Sequence, residues 1–142
     1  MSRSYVSEVE ILFRHFDPAG IVFYPRYFEM INDFIEEWFD KSLGVSFHTL
    51  HTERGIGTPT AAVQCDFKLP SRWHERLRQV LELQHIGGSS FLAQVRFEGQ
   101  DGKMRLSAQV TIVTVDLARM RATALPDDLR AAMQEFLSPA QA

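Results

Sequence analysis

Residues 23–44 read FYPRYFEMINDFIEEWFDKSLG, and Tyr27, Phe28, Ile31, Phe34, Ile35, Trp38 and Phe39 recur at intervals of three and four. That spacing places them on one side of an α-helix. Pro25 suits the first turn, where its missing N–H costs nothing, and Gly44 supplies the stop. An apolar face this wide is too broad for a helix lying on a surface, so the spacing predicts a helix enclosed by other structure.

On both sides of this segment the period changes to two. Residues 5–13, YVSEVEILF, place Tyr5, Val9, Ile11 and Phe13 on one face and Glu8 and Glu10 on the other, the pattern of a half-buried strand. From Gly57 onward TPTAAVQCDFKL alternates again, with Ala61, Val63, Cys65, Phe67 and Leu69 opposed to Gln64, Asp66 and Lys68. Pro70-Ser71-Arg72 breaks that strand. Three more are predicted near 77–86, 90–98 and 104–116, separated by Gly87-Gly88 and by the hairpin signal Gln100-Asp101-Gly102. The tail LPDDLRAAMQEFL reads as a short helix from about Pro126, and FHTLHTERGIG, between the long helix and Gly57, shows no clear period and reads as a loop. One strand, one long helix and then four successive strands argue an α+β domain with an antiparallel sheet that curls around the helix. Its free edge and outer face are surfaces that self-association would continue.

Composition narrows the functional classes. At 142 residues the chain fits one domain, 1–142, burying about 70% of its unfolded surface. No apolar run nears the ~20 residues of a membrane helix, and the first residues lack the basic-then-apolar layout of a secretion signal, so a cytoplasmic protein without membrane contact is expected. A net charge of −3, with arginines far outnumbering Lys41, Lys68 and Lys103, gives no general attraction to nucleic acid. The single cysteine, Cys65, excludes an internal disulfide and sits on the apolar face of its strand, where it reads as a small buried hydrophobe.

Nucleophile-elbow, phosphate-loop and dinucleotide-binding motifs are all missing. His48 and His51, with Glu53 nearby, have helical metal-ligand spacing but no second ligand group, so isolated loop histidines are the reading and no metal or cofactor is expected. Asp17 stands apart. It lies in FDPAGIVFYPRYFEM, residues 16–30, several residues ahead of Pro25 and among Phe16, Phe23 and Tyr24, which would shelter it from water. As an ordinary turn residue Asp17 would simply initiate Asp-Pro-Ala-Gly. As a sheltered carboxylate beside a helix N-terminus, it could act as base or nucleophile while an unpaired amide holds a developing oxyanion. That pairing suits a thioester, whose carbonyl is weakly resonance-stabilised and whose thiolate leaves readily.

The same stretch resembles the signature D-x-D-x-x-G-[IV]-V-[YFW]-x-x-Y of the hotdog-fold acyl-CoA thioesterases, in particular the 4-hydroxybenzoyl-CoA thioesterase group. Looser likeness runs through ERGIGTPTAAVQCDF (53–67), PSRWHERL (70–77) and TVDLARMRATALP (114–126). The resemblance implies a hotdog fold, a long helix wrapped by a five-stranded antiparallel sheet, in homodimers or homotetramers with active sites at subunit interfaces. It implies hydrolysis of an acyl-CoA, with Asp17 as nucleophile or base and the backbone amide of Tyr24, or less readily that of Phe23, polarising the carbonyl. Around the substrate it implies His15, Gly20, Asn32, Thr58, Arg72, Ser89 and Ser90, with Arg76, Arg119 and Arg121 as further phosphate partners. Asn32 and Asp33 face either the acyl pocket or solvent. The sequence departs from the signature at His15, where the first aspartate would stand, and at His74-Glu75, where the related loop has two aspartates. His15 is read as a loop-holding residue rather than a second base. Two other classes fit less well: a non-catalytic acyl-thioester binding module on the same fold, and an enoyl-CoA hydratase using His15 with Asp17.

Overall fold

The computed structural model describes residues 3–139. Five antiparallel strands form one sheet in the order β1-β4-β5-β6-β3: β1 (Tyr5–Glu10), β3 (Thr60–Phe67), β4 (Arg76–Ile86), β5 (Ser90–Glu98) and β6 (Met104–Val113). A smaller antiparallel ribbon joins β2 (Ile56–Gly57), β7 (Val115–Asp116) and β8 (Arg121–Ala122). The helices are α1 (Pro25–Trp38), α2 (Phe47–Thr52) and α3 (Asp127–Gln134).

The periodicity of residues 23–44 produces α1 as expected. Tyr27, Met30, Ile31, Phe34, Ile35 and Trp38 are buried, and the last turn widens into a π-turn over Phe39–Leu43 that buries Phe39 and Leu43. Gly44, at φ 78°, ends it and donates its N–H to Phe39 O. Phe28 is only half-buried, at the border of the packed face.

The helix lies in the trough of the sheet. Phe91, Ala93, Val95 and Phe97 point inward from β5 in strict alternation, flanked by Leu77, Leu81 and Leu83 of β4 and by Leu106, Ala108, Val110 and Ile112 of β6. Tyr27 meets Phe97 at 6.3 Å between ring centroids, Phe34 meets Tyr5 at 5.5 Å and Trp38 meets Phe91 at 6.0 Å, so the helix runs lengthwise along the strands. The opposite face of the sheet is polar, carrying a Gln84–Gln94–Ser107 ladder and an Arg78–Glu98–Arg96 chain.

Four expectations change. The first strand stops at Glu10, because Ile11 donates its N–H to Glu75 O and the chain then tightens into a 3-10 turn, Phe13–His15. Phe13 is consequently 70% exposed, and His15 takes the buried place. The loop after Gly44 holds the six-residue α2, begun by Ser46, whose hydroxyl accepts the Thr49 N–H at 3.1 Å. The strand expected over 104–116 is cut at buried Thr114, whose Oγ1 donates to the Thr123 carbonyl at 2.6 Å, and the remainder turns into the β7–β8 ribbon. A Cβ at Gly57 would stand 2.8 Å from Leu117 Cδ2, so a larger residue there would push the Leu117 side chain aside.

The fourth concerns β3. Its alternation is as read from Val63 to Phe67, where Val63, Cys65 and Phe67 pair in register with the inward-facing Val110, Ala108 and Leu106 of β6, but a bulge at Ala61 puts Thr60 opposite Ile112 in its stead, and Leu69 lies past the strand's end. Its burial is not, because Val63 and Phe67 are each 46% exposed and Leu69 42%. β3 pairs on one side only, so the apolar inner face of the sheet continues past β6 into the open.

Candidate active site

The Asp17 loop is built by short-range hydrogen bonds. An isolated bridge between Phe16 and Val22 closes it, Asp17 donates its N–H to Ile21 O at 3.1 Å, and Gly20 donates to Asp17 O at 3.0 Å. Gly20 has φ 81°, a conformation a side chain resists. The Asp17 carboxylate accepts the Ala19 N–H through Oδ1 at 2.8 Å, an Asx turn that fixes the group and leaves Oδ2 without a protein donor among the described residues. The turn and the chemical reading of Asp17 are therefore compatible: one oxygen shapes the loop and the other is presented.

At the start of α1 the amides are nearly all committed. Phe23 donates to His15 O at 2.9 Å, Pro25 has no N–H, Arg26 donates to Phe23 O at 2.8 Å and Tyr27 to Tyr24 O at 3.1 Å. The Phe23 N–H is thereby engaged within the fold. The Tyr24 N–H is left with no acceptor among the described residues, at the positive end of a 14-residue helix. Beside it runs a groove of about 220 Å³ walled by Ile21, Val22, Tyr27, Phe67, Leu69 and Pro70, with Lys68 as its cation. The aromatic shelter expected around Asp17 is only partly present. Phe16 is half-buried, whereas Phe23 is 43% and Tyr24 59% exposed, so the rings form an open rim on the single chain.

Asn32 and Thr58 lie together elsewhere. They line a groove of about 550 Å³ at the other end of β3, with Phe47, His51, Thr60, Leu117 and Met120. His51 there is bound to Phe47 O through Nδ1 at 2.6 Å. His48 and His51 do share a helix, against the loop expected, but no group of three metal-binding side chains occurs among the described residues. Burial pushes the Cys65 thiol up to about 11, with Asp66 adding to it, so it stays a protonated thiol at neutral pH.

The remaining candidates scatter. Ser89 and Ser90 belong to the β4–β5 turn, where Ser89 O accepts the Thr114 N–H at 2.8 Å and Ser90 O the Gly87 N–H at 2.7 Å. No basic residue stands within Gly87–Ser90, yet the fold brings Arg130 there from α3, donating to Gly87 O at 2.7 Å and Gly88 O at 3.2 Å. Arg76 is occupied by Glu8 and Glu10 at 3.1 and 3.2 Å. Arg72, Arg119 and Arg121 are exposed. Glu75, at the loop position of a related aspartate, accepts the Arg72 N–H at 2.7 Å and binds the buried Arg105, tying the 71–75 loop to β6. That loop returns to the site through Ser71 O, which accepts the Val22 N–H at 3.3 Å.

The curled sheet, the long helix and the carboxylate ahead of its N-terminus together define a hotdog-fold thioesterase architecture. The sequence profile of the thioesterase-like superfamily matches residues 11–133, and the chain belongs to that superfamily. Among curated proteins it is 23% identical over 128 residues to the acyl-CoA thioesterase YbgC of Haemophilus influenzae, covering 90% of this chain and 93% of that one. Among solved structures, a mutant 4-hydroxybenzoyl CoA thioesterase complexed with 4-hydroxybenzoyl CoA is 25% identical, with a TM-score of 0.84 over 93% of this chain and 99% of that one. A 1,4-dihydroxy-2-naphthoyl-CoA thioesterase from Synechocystis is 19% identical, with a TM-score of 0.87 over 96% of this chain and 100% of that one.

Proposed function

We propose that the protein hydrolyses an acyl-CoA thioester to the free acid and CoA. The observations that carry this are one anchored carboxylate, Asp17, and, a short loop further on, one uncommitted helix-start amide, that of Tyr24. In the water-attack route Asp17 takes a proton as the hydroxyl adds to the carbonyl carbon, and the oxyanion forms against the Tyr24 N–H. The C–S bond then breaks, and the CoA sulfur leaves with the proton held by Asp17. In the covalent route Asp17 attacks the carbonyl, expels the thiolate, and water hydrolyses the resulting anhydride.

The acting unit is a homodimer joined along β3. The strand has a free edge and carries exposed Val63 and Phe67, with exposed Leu69 just beyond its end. Phe67 packs against Tyr24 and Phe28, at 6.1 Å between centroids in each case, while Thr60 shares the Asn32 groove, so the two ends of β3 serve the two halves of the candidate site. Two β3 strands paired antiparallel would set the Thr60 end of one protomer against the Phe67 end of the other. Each Asp17–Tyr24 pair would then face its partner's Asn32–Thr58 groove. Phe47 on that wall suits an aromatic acyl group, as do the aromatic thioesters in the names of two similar structures. A lone cysteine suits a reducing cytoplasm.

The test is a panel of aliphatic and aromatic acyl-CoA substrates followed by thiol release. Asp17→Asn keeps an acceptor for the Ala19 N–H, so the loop should survive while turnover falls by about 10²-fold or more. Full activity in that variant would refute the mechanism, and binding across the panel without hydrolysis would mark a binding module instead.

A further inference from the structure

We propose that His15 is a positioning residue for this reaction: its neutral imidazole holds the Asp17 loop and the start of α1 in register, and its protonation lets go of both. The proposal rests on the thioesterase reading of the site.

The geometry is specific. Leu12 donates its N–H to His15 Nδ1 at 2.8 Å, and His15 returns its own N–H to Leu12 O at 2.9 Å. An Nδ1 that accepts carries no proton, so the ring is neutral with hydrogen on Nε2. The carbonyl of the same residue accepts the Phe23 N–H at 2.9 Å, one residue ahead of Tyr24, whose own amide has no acceptor among the described residues. One residue thus closes the 3-10 turn ahead of Asp17 and pins the chain entering the helix behind it. Protonating the ring would aim two N–H groups at each other and break the reciprocal pair.

His15 is only 6% exposed, at the wall of a cavity of about 300 Å³ between β1 and α1. Its charged surroundings are mixed. Arg14 on its own turn and Arg26 on α1 disfavour a second positive charge, and Glu29 on α1 favours one. Glu8 and Glu10 from β1, and Asp33 and Glu37 from α1, line the same cavity. Glu8 and Glu10 are already bound by Arg76, and Glu37 accepts the Tyr5 hydroxyl. Burial dominates and lowers the pKa of His15 from its ordinary value, with Arg14 next in effect.

An asparagine Oδ1 occupies nearly the place of the histidine Nδ1, so His15→Asn keeps the acceptor for Leu12 and cannot titrate. The aspartate of the related signature offers the same acceptor; histidine in its place makes the link sensitive to mild acid. Two measurements on the full chain test this. Nitrogen-15 NMR of the imidazoles should show the Nε2–H tautomer at His15 near pH 7.5, with the Leu12 amide signal moving as that ring titrates; an Nδ1–H tautomer overturns the proposal. In kinetics, His15→Ala should lower kcat by about tenfold or more with a smaller change in KM, and His15→Asn should restore most of that loss. The His15→Asn profile should also lack the wild-type rate loss in mild acid; any limb owed to Asp17 is common to both proteins. Superimposable pH profiles, or a His15→Ala enzyme as fast as wild type at pH 8, overturn it. If no acyl-CoA is hydrolysed at all, the functional reading fails, and the tautomer measurement still decides whether His15 holds the loop.

Discussion

At the scale of single residues, His15 and Asp17 divide two tasks that a pair of identical carboxylates would share. Asp17 spends one oxygen on the Ala19 amide and keeps the other. His15 spends its only unprotonated nitrogen on Leu12 and keeps nothing for chemistry. Because burial depresses the folded pKa of His15, the unfolded chain binds the proton more readily than the native one. The stabilisation is fully present above the unfolded value of about 6.5 and is lost as the pH falls through the folded pKa. Denaturant midpoints measured from pH 8 downward should therefore drop on the acid side, and His15→Asn should flatten that part of the curve. An unchanged slope in the variant would mean the ring titrates alike in both states. The sequence offered His15 as a loop-holding residue in place of a signature aspartate, but neither its partner Leu12 nor its burial was legible there, since both depend on the 3-10 turn that follows β1. Arg130 escaped for the opposite reason: it reaches Gly87 across 43 positions.

At the scale of elements, legibility followed length and burial. Helix α1 was readable because its apolar spacing persists for four turns and the structure buries that face. Helix α2 was not, because six residues carry less than two full periods and its start depends on one Ser46–Thr49 bond. The alternation of β3 was readable from Val63 to Phe67, but not the bulge at Ala61 nor the strand's exposure, which depends on having one neighbour rather than two among the described residues. The β7–β8 ribbon was hidden by Thr114, a residue that suits a strand and here ends one through its hydroxyl. The least visible device sits in β4, whose register slips between Leu83 and His85. On the other edge of β4, past the end of β1, the chain after α3 adds a short parallel bridge: Leu83 donates to Phe136 O at 2.8 Å and Ser138 donates to Leu83 O at 2.7 Å. Phe136 is 1% exposed and packs on Trp38 at 5.4 Å. Replacing it with alanine should cost about 3–5 kcal/mol, read as a lower urea midpoint with an unchanged slope. A loss under 1 kcal/mol would mean the tail is only laid on the surface.

At the scale of the whole molecule, the candidate site is divided. One part, Asp17 and Tyr24, stands where α1 begins; the other, Asn32 and Thr58, lies in a separate groove toward the far end of β3. Self-pairing along that strand is the economical way to unite them. It also covers the apolar surface that a single chain leaves in water. Val63→Lys changes a 46% exposed position, so the isolated fold should shift by less than about 0.5 kcal/mol. If the proposed β3 pairing is the interface, light scattering after size exclusion should nevertheless show a dimeric parent chain and a monomeric variant, and thiol release should fall with it. A dimer of wild-type strength in that variant would place the interface elsewhere.

The strand order has a further consequence, in time rather than space. Among the described residues β3 pairs with β6 alone, Cys65 opposite Ala108, and the edge of β4 beyond β1 is joined by residues near 137. A nascent chain emerging from the ribosome can coil α1 early, yet it has no complete trough to lay it in until β6, which ends at Val113, has been made. Until then the ring-studded face of the helix waits uncovered. Translation speed and chaperone supply should thus govern the yield of this protein more than the stability of its finished fold.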